Sequence, residues 1–222
     1  ANNTNDILNY TYSYDSSYKI IGIDETVNSE SEQFFYDSLN RLEEYFLNSV
    51  KKRDLTYDEI GNILQKEVDG VVKSYSYEQA RPQVLTNYDS SIYNFDGFGN
   101  LSNFGTKTFN FDESNRLNSF SDGTTTSNYI YDHENMRVEK SVGTSKTEYI
   151  GKYTEVNSGN PVYHIFFGEQ RIASFDSSGS LSHIHQNHQQ STVLRTDSNG
   201  NVVFNQKYFP FGGSRSGTAL GG

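Results

Sequence analysis

A short signature recurs along this chain and limits its fold more than any other feature. Two aromatic residues are separated by one residue, and an acidic residue follows directly. Gly or Asn stands three positions after the acidic residue, and an aliphatic residue stands two positions after that. One copy spans residues 93–101, with Asp96 and Gly99 at the fixed positions, and another spans residues 109–117. A recurring period decides the architecture of a chain before any single residue can be interpreted. We therefore expect one structural unit that is repeated along the sequence.

The acidic residues set the period of the repeat. They are Asp15, Asp37, Asp58, Glu78, Asp96, Asp112, Asp132, Asp176 and Asp197. Most successive copies lie 16 to 22 residues apart. The interval from Asp132 to Asp176 is 44 residues, which we interpret as two units with one copy drifted beyond recognition. About twenty residues suffice for two strands and two turns, so each unit is predicted to be a β-hairpin.

Each position of the signature has a physical role. Tyr129 and Tyr131 are two residues apart, which places both rings on one face of a strand. Asp132 can accept backbone N–H groups at the start of a turn, and Asn135 tolerates a positive φ. A type I turn followed by a left-handed residue in a β-bulge is a common hairpin connection. We assign this structural role to Tyr36, Asp37, Tyr57, Asp58, Gly61, Phe95, Asp96, Gly99, Phe111, Asp112, Tyr131, Asp132, Asp176, Gly179, Asp197, Gly200, Pro210 and Gly212.

Two copies depart from the pattern, and one segment has an alternative reading. The copy at Asp15 has Tyr18 at the left-handed position, and the copy at Glu78 continues into Arg-Pro at residues 81–82, so its turn is expected to differ. Residues 39–52 have apolar residues near helical spacing, and a helix is the alternative there. The phase of the repeat runs through this segment and favours strands.

Composition supports an ordered β-protein with little core. Hydrophobic residues make up 33% of the 222 residues, aromatic residues 14%, and the mean hydropathy is −0.74. Disordered chains are poor in aromatic residues, so low hydropathy here does not indicate disorder. The predicted fold class is all-β, built from consecutive antiparallel β-hairpins of about twenty residues.

The charge excludes several kinds of partner. A net charge of −10 and a pI near 4.9 argue against nucleic acid, whose phosphates require a basic surface, and against anionic membranes. No run approaches the roughly 18 apolar residues that a membrane span needs. With no cysteine in the sequence, disulfides and thiolate metal sites are excluded.

Candidate chemistry in the sequence is sparse. His183, His185 and His188 form the one local group with metal-ligand chemistry, but zinc needs further ligands and an oriented outer shell. Turns such as residues 96–100 offer one carboxylate each, fewer than a calcium site requires. Nucleophile-elbow, phosphate-loop, zinc-helix and dinucleotide motifs are missing from the sequence. The expectation is a protein without metal, cofactor or enzymatic activity.

Tyr-Asp steps with Gly-Asn or Asn-Arg turns at this period resemble the RHS/YD-repeat family. The ordered motifs between residues 129 and 212, which end in Pro210-Phe211-Gly212, look like the approach to the RHS-associated core of Rhs toxins, Tc toxin C components and wall-associated proteins. The family's Asp-His-Leu-Gly-Ser-Thr stretch reads Asn-His-Gln-Gln-Ser-Thr at residues 187–192. The family's protease segment with paired aspartates and its variable toxin have no counterpart in this sequence.

The resemblance implies a curved, spiralling sheet that forms part of a hollow shell around a polypeptide. Residues 1–212 are then repeat sheet, and residues 213–222 a flexible polar tail. The N-terminus lacks a signal peptide, and we favour a start inside a longer precursor. Expected partners are further repeat segments that pair the edge strands, an encapsulated toxin, and glycans. The expected location is extracellular, by secretion or injection from bacteria, and the alternative function is carbohydrate binding or adhesion through aromatic strands.

Overall fold

The computed structural model describes residues 6–219, with side chains up to residue 216. Every regular element in this part of the chain is a β-strand, and 22 strands follow one another in antiparallel order. The predicted fold class, an all-β train of hairpins, is confirmed. Residues 6–219 contain no helix that is long and apolar enough to span a membrane.

Residue contacts divide the chain into two compact units after Asn94. The repeat runs through this position without a change of period, so the sequence did not predict the division.

The first unit is a meander in which each strand pairs with the next. Its strands are β1 Tyr10–Tyr14, β2 Ile20–Glu25, β3 Glu30–Tyr36, β4 Leu42–Leu47, β5 Val50–Tyr57, β6 Ile63–Val68, β7 Val71–Tyr77 and β8 Leu85–Tyr88, and β9 Ser91–Phe95 runs across the boundary. Residues 39–52, the alternative helix, contain β4 and the start of β5 instead.

Two kinds of turn alternate in the first unit. The turns after β1, β3 and β5 begin at the repeat aspartates. The turns after β4, β6 and β8 are tight hairpins whose two central residues, such as Asn48 and Ser49 with φ of 49° and 65°, are both left-handed. Turns of this kind match the twist of the flanking strands. Consequently, all the aspartate turns of this unit lie at the same end of the strands.

The second unit is also a meander of successive antiparallel pairs. Its strands are β10 Leu101–Phe104, β11 Lys107–Phe111, β12 Leu117–Ser121, β13 Thr126–Tyr131, β14 Arg137–Val142, β15 Ser145–Ile150, β16 Thr154–Asn157, β17 Asn160–Phe167, β18 Gln170–Asp176, β19 Leu181–Gln186, β20 Thr192–Asp197, β21 Val202–Tyr208 and β22 Ser214–Ala219.

The long interval from Asp132 to Asp176 differs from the expectation of two units. It contains strands β14 to β18, an odd number, whereas two units would contain an even number. Successive turns of a meander alternate between the two ends of its strands. Asp176 and Asp197 therefore lie at the strand ends opposite to those of Asp112 and Asp132. The connections between β14 and β18 are only two or three residues long, which makes room for the additional strand.

Few side chains are fully buried, as the composition predicts. Tyr45 and Leu55 form the centre of the first unit, with relative exposures of 0% and 1%. The Tyr45 ring lies 5.5 Å from that of Phe34, and its hydroxyl donates to Glu32 Oε2 at 2.9 Å. In the second unit Ala173, Val193, Leu194 and Thr196 are buried.

The expectation of a flexible tail after residue 212 is wrong for residues 214–219. These residues form β22, which pairs with β21 from Tyr208↔Ser214 to Phe204↔Ala219. The turn at residues 209–213 brings them back along the sheet, and their small polar side chains do not prevent backbone pairing. Residues 220–222 lie outside the described residues.

Candidate functional site: the turns that join neighbouring hairpins

Asp37 shows how the repeat builds its turn. Its backbone N–H donates to the Arg41 carbonyl at 2.9 Å, and the Asn40 N–H donates to the Asp37 carbonyl at 3.0 Å. Asn40 is left-handed, with φ of 64°, and the strand register shifts between Phe35 and Tyr36. This is a type I turn closed by a β-bulge.

The side chain of the same aspartate holds the turn from within. Asp37 Oδ1 accepts the backbone N–H groups of Leu39 and Arg41, each at 2.9 Å. The carboxylate oxygen thereby satisfies two donors that the turn leaves without a backbone partner. Hydrogen bonds to the positions two and four residues later recur at Asp15, Asp58, Asp96, Asp112, Asp132, Asp176 and Asp197.

A negative charge is not required for this geometry. Asn187 Oδ1 accepts the N–H groups of Gln189 and Ser191 in the same way, both at 3.0 Å. At residues 209–213 the backbone bonds of the turn form with Phe209 in place of the acid. Pro210 and Gly212, two of the predicted structural residues, belong to that turn, and Gly212 has a φ of 78°.

The predicted glycines occupy the left-handed position of their turns. Their φ angles lie between 78° and 95° for Gly61, Gly99, Gly179, Gly200 and Gly212. Open space surrounds a Cβ added at any of them. Glycine is thus favoured there by the backbone conformation and not by crowding.

The turn hydrogen bonds of Asp37 and Asp112 favour the ionised form of these two carboxylates. The backbone N–H of Arg41, followed in the same direction by its side chain and the N–H of Leu39, lowers the pKa of Asp37. The corresponding groups of Arg116 and Ser114 lower the pKa of Asp112. An aspartate with a lowered pKa and occupied oxygens is a poor general acid or base at neutral pH.

Arg41 connects its own turn to the next one. Its Nε donates to Asp37 Oδ2 at 2.7 Å, and its Nη1 donates to the Asp58 carbonyl at 2.9 Å. The guanidinium carbon lies 4.4 Å from the ring centroid of Tyr57. One side chain therefore contributes an ion pair, a hydrogen bond and a cation–π contact that together link two hairpins.

Arg116 makes the same three contacts in the second unit. Its Nε is 2.8 Å from Asp112 Oδ2, and its Nη1 is 3.1 Å from the Asp132 carbonyl. The guanidinium carbon lies 5.0 Å from the Tyr131 ring centroid. No role was assigned to this position from the sequence. The recurrence of Lys19, Arg41 and Arg116 four residues after an aspartate was the signal for a role.

Five tyrosines that directly precede a turn reach back to the preceding repeat. Tyr57 Oη donates to the Leu42 carbonyl at 2.6 Å. Leu42 lies five residues after Asp37, at the start of the return strand. The same bond, to the carbonyl five residues after the first residue of the preceding turn, joins Tyr36 to Ile20, Tyr77 to Ile63, Tyr131 to Leu117 and Tyr208 to Thr192. Phe95 and Phe111 occupy the tyrosine position without a hydroxyl, so these two copies lack this hydrogen bond.

The histidine group is only partly brought together. His183 and His185 lie opposite Thr196 and Leu194 and share one face of β19, as expected. His185 Nε2 lies 3.1 Å from Thr196 Oγ1, and burial, with a smaller effect of His183, lowers the pKa of His185. His188 lies in the following turn, where burial lowers its pKa. Across residues 6–219, no three His, Asp or Glu side chains are placed to hold a metal ion.

His164 is a buried polar residue that sequence reasoning missed. Its side chain is 7% exposed, and Nε2 lies 3.3 Å from Glu155 Oε1. The strict alternation of β17, where Val162, His164 and Phe166 share a face, was the available signal.

Many aromatic rings have one face covered by a cation. Besides the arginine contacts described above, Lys19 lies 5.2 Å from the Tyr36 ring centroid, Arg137 lies 4.6 Å from that of Tyr149, and Arg195 lies 5.0 Å from that of Phe204. Other rings pack on each other, such as Phe109 on Phe120 at 5.0 Å. The rings thus contribute to cohesion within the sheet.

Turn geometry, the link from each tyrosine to the preceding hairpin and the pairing of successive strands define a protein of the YD-repeat class. The model of the Teneurin YD-shell family matches residues 2–214. The chain belongs to this family.

One solved structure supports the same fold, and a second is similar at a lower score. The crystal structure of TcdB2-TccC3 without its hypervariable C-terminal region is similar with a TM-score of 0.60 and 14% identity, over 96% of this chain and 15% of that one. The Tc holotoxin pore of Photorhabdus luminescens is similar with a TM-score of 0.45 and 13% identity, over 97% of this chain and 16% of that one. The chain therefore spans about 15% of the length of the first of these relatives. No curated protein sequence matches it.

Proposed function

We propose that the chain is a non-catalytic wall segment of a YD-repeat shell that encloses a polypeptide cargo. The observation that carries this proposal is the use of side chains between hairpins. Arg41 and Tyr57 each join one repeat to the next, and so do Arg116 and Tyr131. A sheet whose polar and aromatic groups are committed to lateral cohesion suits a continuous barrier.

The proposal extends to location and assembly. The wall continues beyond this chain by pairing of its edge strands with further repeats or partner chains. The whole assembly is secreted, or is injected by a bacterial delivery system, as a toxin or surface protein. The similarity to Tc toxin structures supports this setting, and the aspartates held in turns support a role without catalysis.

The enclosure can be tested by proteolysis of the full-length polypeptide that carries this chain. We expect cargo segments to resist a protease in the wild type. They should become sensitive when Arg41→Ala and Tyr57→Phe are combined, because two links between neighbouring hairpins are lost. The matched control, Tyr18→Phe, changes an exposed tyrosine and should leave the protection of the cargo unchanged. Equal sensitivity of cargo in the wild type and in the unfolded polypeptide would refute the enclosure.

Carbohydrate binding is less well supported, because cations cover the ring faces of Tyr36, Tyr57 and Tyr131. Sugars stack on such faces, so the covered rings are unavailable. We expect no glycan on an array to bind above background. Specific binding that is lost with Tyr18→Ala, at a ring that is 89% exposed, would instead favour the lectin function.

A further inference from the structure

Tyr14 is a repeat tyrosine whose hydroxyl lacks the partner that its counterparts have. It directly precedes Asp15, as Tyr36 precedes Asp37. Tyr36 donates to the Ile20 carbonyl at 2.7 Å, whereas within residues 6–219 the Tyr14 hydroxyl has no hydrogen-bond partner. The Tyr14 side chain is 53% exposed, while that of Tyr36 is half-buried.

The strand that carries Tyr14 is also paired on one side only. Within the described residues β1 pairs with β2 alone. The equivalent strands β3 and β5 each lie between two return strands. One follows their own aspartate turn, and the other belongs to the preceding repeat. An open strand edge presents unpaired N–H and C=O groups to another strand.

The preceding return strand makes recurring contacts with the repeat tyrosine. At β5 that strand is β4, whose Leu42 carbonyl accepts the Tyr57 hydroxyl. Arg41, one residue earlier, stacks on the Tyr57 ring and donates to the Asp58 carbonyl. At β3 the same contact to the tyrosine hydroxyl comes from the Ile20 carbonyl, and Lys19 lies over the Tyr36 ring.

We infer that the open edge of β1 is a docking site for the return strand of another YD repeat that carries Arg or Lys four residues after its turn aspartate. The carbonyl of the next residue accepts the Tyr14 hydroxyl. The cation lies on the Tyr14 ring, and an arginine at this position also donates to the Asp15 carbonyl. This inference rests on the proposed wall function, and it specifies which residues the strand that extends the wall must carry.

Charge complementarity favours this occupant over a generic strand. The open edge offers an aromatic ring face and a backbone carbonyl, both of which attract a cation. The chain as a whole carries a net charge of −10, so a basic residue on the incoming strand is favoured over an acidic one.

A synthetic peptide of residues 37–47 supplies the required turn, cation and return strand. Titrated into the intact chain, it should shift the amide resonances of β1 and bring the peptide's Arg41 close to the Tyr14 ring. Tyr14→Phe keeps the ring and the strand but removes the hydroxyl donor. It should weaken binding about two- to tenfold, the equivalent of one net hydrogen bond. Tyr18→Phe, which changes an exposed tyrosine nearby, should leave the affinity unchanged.

A peptide with Arg41→Ala should bind more weakly than the parent peptide. Three results would overturn the inference: no shifts in β1 at millimolar peptide, shifts confined to other strands, or equal affinities for the wild type and Tyr14→Phe. The outcome is independent of cargo protection. Peptide docking on β1 without cargo protection would retain the edge site and reject the enclosure, and the reverse result would reject the edge site alone.

Discussion

The Tyr57 hydroxyl donates a 2.6 Å hydrogen bond to the main-chain carbonyl of Leu42, at the start of the return strand of the preceding repeat. A backbone hydrogen bond in this sheet joins only neighbouring residues of two strands. The Tyr57 bond instead fixes the end of β5 to the turn end of β4, beside the bulges at Tyr57 and Tyr36 where the register shifts. The side chain thus reinforces the part of each repeat where the ladder is irregular.

Removal of that bond should measurably destabilise the first unit. Tyr57→Phe leaves the ring and its contact with Arg41 but deprives the Leu42 carbonyl of a donor. We expect the free energy of unfolding to fall by about 0.5–1.5 kcal/mol, as measured by urea denaturation. Tyr18→Phe, which changes a hydroxyl that is exposed to solvent, should have no effect. Equal stability of both variants and the wild type would show that water replaces the bond without loss.

Tyr18 is strained at a position where the other aspartate turns have Asn or Gly. Its φ is 61°, and its side chain is 89% exposed, so no burial offsets the cost of the left-handed conformation. Tyr18→Gly should raise the free energy of unfolding by about 0.5–1 kcal/mol, after allowance for the greater entropy of unfolded glycine. Ser17→Gly in the same turn is the control and should not stabilise. Loss of stability in Tyr18→Gly would contradict the strain.

The turn aspartates should make stability depend on pH in the acid range. Hydrogen bonds from the backbone and side chain of Arg116 lower the pKa of Asp112, and those from Thr125 and Thr124 lower the pKa of Asp122 to about 2. A lowered folded-state pKa adds stability that is present above the unfolded value near 4. That stability is lost as pH falls through the folded value.

Asp112→Asn tests this dependence at one turn. Asn187 performs the same capping in this chain, so the turn should persist. Urea midpoints measured from pH 7 to pH 2 should decline less steeply for Asp112→Asn than for the wild type. The control is Glu113→Gln, which changes the exposed residue next to Asp112. An unchanged slope in Asp112→Asn would mean that its carboxylate contributes no pH dependence.

Lys51 neutralises two carboxylates that face each other across strands. Glu44 and Asp54 are directly opposite on β4 and β5, and Lys51 Nζ lies 3.1 Å and 2.7 Å from them. Hydrogen bonds to Asp54 and then Glu44 raise the pKa of Lys51. Its stabilising effect is therefore present at neutral pH and is lost only as pH rises through the folded value.

Lys51→Met should lower the urea midpoint at low salt, because like charges opposite each other destabilise a sheet. The loss should shrink in 1 M salt, where screening acts within a few ångströms. Adding Glu44→Gln to Lys51→Met should restore part of the midpoint. A deficit that is independent of salt and of Glu44 would assign the effect to packing of the lysine stem.

Local turn chemistry was predictable from the sequence to the level of single residues. Asp37 and Asn40 lie where the signature places them, because an Asx turn and a left-handed residue depend only on atoms a few positions apart. The aberrant turn at Glu78 was also predictable. Its backbone N–H reaches the carbonyl of Val84, six residues later, as the Arg-Pro step at residues 81–82 requires.

Contacts between repeats were beyond the sequence pattern. Arg41 and Asp58 are 17 positions apart, and their contact exists only because β4 and β5 pair in one register. The odd number of strands between Asp132 and Asp176 was equally hidden, since β15 to β17 end in turns without the signature. The strand β22 was missed because its residues pair through the backbone, to which small polar side chains give no periodic signal.

By itself, the sequence determined a train of β-hairpins with capped, left-handed turns, since that information lies within each twenty-residue unit. Only the tertiary structure decided at which end of the strands each turn lies and which cation stacks on which ring. It also decided which repeat tyrosine hydroxyl lacks a hydrogen-bond partner within the described residues. These are lateral relationships between strands, and they depend on pairing register and strand count, which a short local signature does not encode.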